Sequence, residues 1–191
     1  MFPKTKKLLL ASASPRRSQL LKDAGFDFTV IGGKDIDESI PENLTGKDAA
    51  IYLANLKADA YSGEITAETI LITADTIVCL NDTILGKPKN EKEAFEILQS
   101  LSGKEHKVIT GVAVRSSDKQ ISFSAETCVQ FKHLNADEIN YYIKHYKPFD
   151  KAGAYGIQEW IGYIGISEIK GSYYNVMGLP VQAVYEALKE F

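Results

Sequence analysis

The chain has 191 residues, of which 45% are hydrophobic, and its formal net charge is −3 at pH 7. This length supports one substantial core or two small lobes that share a sheet, and no basic tract is present to neutralise the phosphates of a nucleic-acid duplex. The start MFPKTKKLLLAS has only three consecutive leucines, and no run approaches the ~20 apolar residues of a membrane span. We therefore expect a cytoplasmic protein that has neither a membrane nor a nucleic acid as its partner.

The first predicted elements are a strand that ends at Leu8–Leu10 and a helix that begins after Ser14, with Pro15 in its first position. The turn between them brings hydroxyl groups and guanidinium groups to a helix N-terminus, where free N–H groups attract anions. A solvent-facing arginine pair is an equally common alternative. The anion-binding interpretation assigns a phosphate to Ser12, Ser14, Arg16 and Arg17.

Helix and strand signals alternate along the rest of the chain. Further strands are predicted over Phe28–Ile31, Thr69–Leu80, Thr83–Leu85, Val108–Val114 and Ile121–Phe131. Further helices are predicted to begin at Thr45 or Asp48, at Asn90, at Asn135 and at Pro180. Hairpin-like strands among helices indicate an α/β fold with a mixed central sheet flanked by helices. Because no repeat or linker interrupts the chain, we expect a single domain over residues 1–191.

Charged and polar residues stand at several places that a structural role explains poorly. Asp75 and Thr76 interrupt the apolar run ILITADTIVCL, and a carboxylate in a buried strand is costly unless it is paired, hydrogen-bonded or bound to a cation. Lys87 in LGKP is aimed from a fixed loop, although a loop lysine is usually only solvated. Lys57 follows the apolar stripe of its helix, where a lysine can simply extend to water. Glu38 lies in the segment DIDESI and could equally belong to an ordinary acidic turn.

The segment DKAGAYGIQ, Asp150–Gln158, contains two glycines and two alanines around one tyrosine, which predicts close approach of backbones. Cys79 and Cys128 lack metal-binding or redox spacing and are predicted to be buried thiols. His106 and His133 lie in or beside strand-like segments, and we assign them structural roles.

Together these parts meet the requirements for cleaving a nucleoside triphosphate. Arginines and lysines would hold the polyphosphate, acidic residues would bind a divalent ion or accept a proton from water, and an amide would read a base edge. The chain contains neither GxxxxGK[ST] nor GxGxxG, which argues against a P-loop enzyme or a Rossmann dinucleotide binder.

An ordered set of motifs resembles the Maf family, the Maf-like nucleoside triphosphate pyrophosphatases: ASASPRR, DES, LKA, ADT, LGKP, SGKEHKVITGV, ETCVQF, DKAGAYGIQ and GSYYNVMGLPV. The resemblance implies an elongated, two-lobed fold of the inosine triphosphate pyrophosphatase (Maf/Ham1) type with a cleft, and hydrolysis of a nucleotide to its monophosphate and pyrophosphate. It also places the family's proton-accepting aspartate on Asp75. The substrate-selecting residues of the family fall on Arg16, Thr76 and Gln158. Further polar positions of its cleft fall on Ser12, Arg17, Glu38, Lys57 and Lys87.

The ending GAYGIQ is similar to the branch that hydrolyses dTTP and UTP. A glutamine amide has a donor and an acceptor, so Gln158 can complement the O4/N3–H edge of uracil or thymine. The chain departs from the family directly after this residue. The family normally has a glycine there, whereas this chain has Glu159 followed by Trp160. Lys147 likewise precedes Pro148 where an acidic residue is commoner. The added bulk and charge of Glu159 and Trp160 leave the base preference within the branch open.

For the reaction, we expect Asp75 to position or deprotonate the water that attacks the α-phosphorus, with Lys87 stabilising the leaving pyrophosphate. Carboxylates suit Mg²⁺ or Mn²⁺, so Asp75 and Glu38 are the expected metal ligands. The sequence leaves open whether Asp75 acts as the general base or as a metal ligand. The expected catalytic set is Asp75, Lys87, Lys57 and Glu38.

Two other functions are alternatives to hydrolysis. The first is a nucleotide-binding regulator of septum formation and cell division with little hydrolysis, against which a carboxylate beside three phosphates argues. The second is binding of RNA or single strands through Tyr141, Tyr142 and Tyr146, which the net charge disfavours. Their helical spacing predicts core or subunit contacts instead, and a homodimer is compatible with this interpretation.

Overall fold

A computed structural model describes residues 6–191. Its strands are β1 (Lys7–Leu10), β2 (Phe28–Val30), β3 (Thr69–Leu80), β4 (Thr83–Leu85), β5 (Glu105–Arg115), β6 (Gln120–Phe131) and β7 (Ile166–Lys170). Its α-helices are α1 (Pro15–Asp23), α2 (Gly46–Asp59), α3 (Glu91–Leu101), α4 (Ala136–Tyr146), α5 (Trp160–Gly165), α6 (Tyr173–Met177) and α7 (Val181–Leu188). Short 3₁₀ turns lie at Ser62–Glu64 and Ala152–Ala154.

The strands form one sheet in the order β2-β1-β3-β5-β6-β7, with β4 beside β3. β1 runs parallel to both β2 and β3, and its Leu10 lies opposite Val30 on one side and Ile72 on the other. β4 pairs with β3, and β7 with β6, in antiparallel orientation. The predicted mixed sheet with flanking helices is therefore confirmed.

The chain divides into two compact units. The first unit comprises the described residues up to Asp75 together with Thr110–Ala125 and Gly178–Phe191, and the second comprises Thr76–Ile109 and Glu126–Met177. Strands β3, β5 and β6 each contribute residues to both units. The single domain over residues 1–191 and the cleft between lobes stay predictions.

In the first unit, α2 packs closely on the sheet. Ala54 and Ala58 of this helix are fully buried with Leu71 of β3. Gly111 of β5 makes this approach possible, because a Cβ at that position would lie 2.0 Å from the carbonyl oxygen of Ala50. The small residues on the two facing surfaces therefore bring the α2 backbone down onto the strands.

In the second unit, α3 and α4 cover a core that includes Leu98, Phe131 and Tyr142. The side chain of Asn90 accepts a hydrogen bond from the Glu93 N–H group at 2.9 Å, and Asn135 begins α4 with a reciprocal capping box. Such caps satisfy N–H groups that a helix start leaves free, and each contributes about 1 kcal/mol. Both predicted helix starts are confirmed.

Three short elements were not predicted: α5, β7 and α6. They have only five or six residues each, which is too short for a clear hydrophobic period. The predicted strand Val108–Val114 is extended at both ends in β5, because polar residues continue its ladder. Among residues 6–191, no helix is long and apolar enough to cross a membrane.

Candidate active site

The turn between β1 and α1 leaves the sheet beside β3, where the N–H group of Ala11 donates to the Ile72 carbonyl at 3.0 Å. The helix begins at Pro15 after Ser14, as predicted, although the Ser14 side chain makes no capping hydrogen bond. The buried Ser12 hydroxyl oxygen instead accepts hydrogen bonds that hold the turn itself. It accepts from the Ser14 N–H group at 3.2 Å and from Arg17 Nη1 at 3.4 Å.

The two arginines at the start of α1 are both partly buried, so they are not a solvent-facing pair. Arg17 Nε donates to the Gly178 carbonyl at 2.7 Å, which fixes its guanidinium against the backbone. Burial lowers the pKa of Arg17, the nearby charges of Asp75 and Glu38 oppose that shift, and the charge of Arg16 adds to it. Arg17 therefore lies in the field of two carboxylates and a second arginine.

Asp75 and Lys57 meet because α2 is fixed against β3 at this level. Thr73 Oγ1 donates to the Ala54 carbonyl at 2.7 Å, two residues before Asp75 and three before Lys57. The Lys57 ammonium donates to Asp75 Oδ1 and lies 3.1 Å from Glu38 Oε1. The side chains of Lys57 and Asp75 are 18% and 14% exposed and that of Glu38 is 42% exposed, so the cluster opens to solvent on the Glu38 side.

The loop that carries Glu38 is tied to the end of α2. Lys34 Nζ donates to the Ala60 carbonyl at 2.6 Å and lies 4.5 Å from the centre of the Tyr61 ring. The Tyr61 hydroxyl donates in turn to the Gly32 carbonyl at 2.9 Å. These contacts keep an otherwise exposed loop close to the helix from which Lys57 projects.

Two of the predicted site residues, Asp75 and Glu38, carry the carboxylate oxygens that a divalent metal prefers. Among residues 6–191, no group of three or more His, Cys, Asp or Glu side chains is arranged to hold a metal ion. Asp75 and Glu38 nevertheless converge on one positive charge, the Lys57 ammonium. Mg²⁺ is commonly bound by one or two carboxylates together with substrate phosphates, so this pair fits a metal that arrives with a nucleotide.

The second unit carries the remaining predicted residues on segments that touch. Gly153, in the segment that leads to Gln158, donates its N–H group to the carbonyl of Gly86 at 3.2 Å, and Gly86 directly precedes Lys87. Lys87 is exposed and Thr76 is half-buried in β3. The close backbone approach predicted for DKAGAYGIQ is confirmed at this contact.

Gln158 has a polar atom that protein groups do not satisfy. Its Oε1 is buried and finds no hydrogen-bond partner within the part of the chain that the structure describes. A buried carbonyl oxygen without a donor costs roughly 1–3 kcal/mol, which a ligand N–H group could recover. The side chain is thus available as an acceptor.

The two unusual residues after Gln158 do not place a free charge beside it. Glu159 accepts a hydrogen bond from the Tyr142 hydroxyl and lies 3.2 Å from the Lys151 ammonium, whose side chain is only 9% exposed. Trp160 packs against Tyr141, with ring centres 4.7 Å apart. The sequence predicts core or subunit contacts for Tyr142 without indicating its polar partner, and it gives no signal for Lys151.

His106 and the two cysteines lie among residues that pack the protein, and none of the three is a predicted site residue. His106 packs edge-on against Phe131 and Tyr155 and shares a 2.8 Å hydrogen bond with the Tyr155 hydroxyl, and burial lowers its pKa to about 4. The structural role predicted for His106 is confirmed. Cys79 is buried as predicted, which raises the pKa of its thiol, whereas Cys128 is half-buried.

Comparisons with known proteins agree with the motifs. The family model described as Maf-like protein matches residues 7–191. A relative from Parabacteroides distasonis named dTTP/UTP pyrophosphatase is 52% identical, and the match covers 97% of this chain and 96% of the relative. A relative of the same name from Porphyromonas gingivalis is 47% identical, and the match covers 97% of this chain and 94% of the relative. In fold, the chain is similar to a HAM1 protein from Coxiella burnetii, with a TM-score of 0.50 and 15% identity over 97% of this chain and 100% of that one. The chain belongs to the Maf family.

Proposed function

We propose that this protein is a nucleoside triphosphate pyrophosphatase that hydrolyses dTTP and UTP to the monophosphate and pyrophosphate. The observation that carries the proposal is Asp75, a half-buried carboxylate in a central strand that is held by Lys57 within the field of Arg17. Cations around one carboxylate are what a triphosphate and its attacking water require. Relatives about half identical to this chain over nearly its whole length bear the name dTTP/UTP pyrophosphatase.

In the proposed reaction, a water oxygen forms a bond to the α-phosphorus while the bond from that phosphorus to the bridging oxygen of the β-phosphate breaks. Asp75 orients this water and accepts its proton. Lys57 holds the carboxylate in place, and Arg16, Arg17 and Ser12 bind phosphate oxygens. Lys87, which is exposed on its loop, stabilises the charge of the leaving pyrophosphate.

We propose Asp75 and Glu38 as the residues that would hold Mg²⁺ or Mn²⁺. Such an ion supplies Lewis-acid polarisation of the phosphates when it is bound. Lys57 already bridges the two carboxylates. The lysine therefore limits their repulsion before any substrate is present.

Base selection is assigned to Gln158, with Thr76 and Arg16 as further selecting residues. The buried Gln158 Oε1 would accept from N3–H of uracil or thymine, and Nε2 would donate to O4. Cytosine reverses this donor and acceptor pattern. A mismatch at one buried polar group typically costs about 1–3 kcal/mol, or roughly 5- to 150-fold in specificity.

We further propose that the enzyme works on free nucleotides in the cytoplasm without a nucleic-acid partner, which its net charge of −3 supports. A homodimer stays a prediction. The names of the relatives do not favour the alternative of a cell-division regulator with little hydrolysis.

The test is a substrate panel of dTTP, UTP, CTP, GTP and 7-methyl-GTP with detection of released pyrophosphate, each with Mg²⁺, with Mn²⁺ and with chelator. We expect dTTP and UTP to be cleaved in preference to the others and chelator to abolish turnover. Cleavage of CTP or 7-methyl-GTP as efficient as that of UTP would overturn the assignment of Gln158. Release of orthophosphate instead of pyrophosphate would overturn the reaction.

A further inference from the structure

A chain of polar contacts in the second unit links α4 to both sides of the turn that carries Gln158. The N–H group of Gly156 donates to the Tyr142 hydroxyl at 3.0 Å, and that hydroxyl donates to Glu159. The Lys151 ammonium lies 3.2 Å from the other carboxylate oxygen of Glu159 and 2.7 Å from Asp150. Each polar group in this series of contacts is therefore bound by another polar group of the same series.

The turn itself is closed tightly around Gly156. The N–H group of Glu159 donates back to the Gly156 carbonyl at 3.0 Å. A Cβ added at Gly156 would lie 2.9 Å from the Glu159 carboxyl carbon, and it would lie 3.1 Å from both Glu159 Oε1 and Gln158 Nε2. The Gln158 amide nitrogen and the Glu159 carboxylate therefore both lie against the same glycine, without a hydrogen bond between them.

This juxtaposition bears on the orientation of the Gln158 amide. A rotation by a half-turn about the last side-chain bond exchanges the donor and the acceptor, and it would convert a complement of uracil into a complement of cytosine. Oε1 has no partner among the described residues that would prevent this exchange. A carboxylate that packs against the same glycine favours the amide orientation that directs Nε2 toward that carboxylate, because the NH₂ group is the positive end of the amide dipole.

From this arrangement we propose that Glu159 is a positioning residue for pyrimidine selection. Its carboxylate, anchored by Tyr142 and Lys151, holds the Gln158 amide in the orientation that accepts from N3–H and donates to O4. The inference rests on the proposed function, since it concerns how the same enzyme distinguishes UTP from CTP. It also gives a role to the residue at which this chain departs from the family pattern.

The network is suited to this role because it is rigid. Burial and the hydrogen bond to Glu159 raise the pKa of Tyr142, so its hydroxyl keeps the proton that it donates. The Glu159 side chain is 18% exposed and satisfied from two directions, which leaves it little freedom to turn away. Glu159 is thus held in place, whereas the Gln158 Oε1 atom has no partner among the described residues, so the anchored carboxylate is the group that can orient the amide.

The experiment measures kcat and KM for UTP and CTP in the wild type and in Glu159→Gln, which retains the shape of the side chain but removes its charge. We expect the ratio of kcat/KM for UTP to that for CTP to fall about 10-fold, because KM for UTP rises while the constants for CTP stay near their wild-type values. Tyr142→Phe leaves the charge in place but frees it to move, and we expect a fall of about 3-fold. A merely structural defect would lower kcat/KM for both substrates by the same factor.

The matched control is Glu168→Gln, which removes an exposed carboxylate that lies 3.5 Å from Lys170 on β7. It should keep the wild-type ratio. If Glu159→Gln fails to fold, as judged by thermal unfolding, Tyr142→Phe decides the question. A folded variant that keeps the ratio within about twofold of wild type overturns the inference, whereas a wild type that does not cleave UTP overturns the proposed function and this inference with it.

Discussion

Two lysine–carboxylate pairs of this protein contain the same chemical groups in opposite surroundings. In the first unit, Lys57 pairs with Asp75 and with the more exposed Glu38, and a partly buried arginine lies in the field of both carboxylates. In the second unit, Lys151 pairs with Glu159 beneath a tyrosine hydroxyl, where its side chain is 9% exposed. The carboxylates of the two pairs are similarly exposed, at 14% for Asp75 and 18% for Glu159. The pairs differ in their neighbours, because Arg17 and Glu38 lie around the first, whereas the Tyr142 hydroxyl and the exposed Asp150 flank the second.

The difference indicates which pair performs chemistry. Burying charges is costly, and good hydrogen-bond geometry is needed to offset that cost, so a carboxylate anchored by both a lysine and a buried tyrosine hydroxyl is a structural or positioning group. The Lys57–Asp75 pair can exchange one partner for water, a phosphate or a metal ion, because Arg17 and Glu38 supply further charges beside it. We therefore expect substitutions at the Lys57–Asp75 pair to lower activity and substitutions at the Lys151–Glu159 pair to lower stability.

The largest expected effect comes from Asp75→Asn, which keeps the shape of the side chain and removes its charge. Turnover of UTP should fall at least ~100-fold, as is usual for the loss of a general base or metal-anchoring group. Folding should be unaffected, because an amide can still accept from Lys57. Pyrophosphate release and thermal unfolding measured on the same preparation check both statements, and retention of more than about a tenth of the activity would contradict the assignment.

Lys151→Met is expected to show the opposite profile. It leaves Glu159 with the Tyr142 hydroxyl as its remaining close donor, and we expect the free energy of unfolding to fall by about 2 kcal/mol. Lys57→Met is the matched comparison, since Arg17 remains in the field of Asp75, and its loss should be about 1 kcal/mol or less. Urea unfolding of both variants measures the difference. Equal losses would mean that the different neighbours of the two pairs do not separate their contributions to stability.

Lys87→Ala should have a smaller effect, of about 10-fold on turnover. Because Lys87 is exposed and is expected to act on the leaving pyrophosphate, affinity for the monophosphate product should change much less than kcat. Calorimetric titration with UMP, set beside the steady-state constants for UTP, separates the two quantities. Matching losses in both would make Lys87 a general anchor for phosphate.

Local signals were sufficient for much of the fold. Pro15, Asn90 and Asn135 mark helix starts because proline and cap residues act within one turn, and β3 has the predicted bounds Thr69–Leu80 because an apolar run between turn residues admits few other structures. The short elements α5, β7 and α6 depend on packing against residues distant in sequence. A local sequence pattern therefore could not predict these three elements.

The candidate site divides in the same way. Asp75 is recognisable from sequence because a carboxylate in an apolar strand is costly, whereas Lys57 becomes persuasive only when α2 is placed against β3 by the Thr73 hydrogen bond. The partnership of Glu159 with Tyr142 and Lys151 joins three segments and leaves no spacing signal. Sequence alone indicates Glu159 only as an added charge, whereas the structure shows that this charge is paired with Lys151 and anchored by Tyr142.

The smallest expected effect concerns a titratable group of the second unit that is closed off entirely. Burial lowers the pKa of His106 to about 4, below its ordinary value near 6.5, so the unfolded chain takes up a proton before the folded protein does. The stability due to neutral His106 is thus fully present above about pH 6.5 and is lost as the pH falls toward 4. Between pH 7 and 6 the loss should be somewhat under about 1 kcal/mol, and it should grow at lower pH. Urea unfolding across this range should show the dependence in the wild type and a shallower one in His106→Gln, whereas equal slopes would mean that the acid sensitivity arises at other groups.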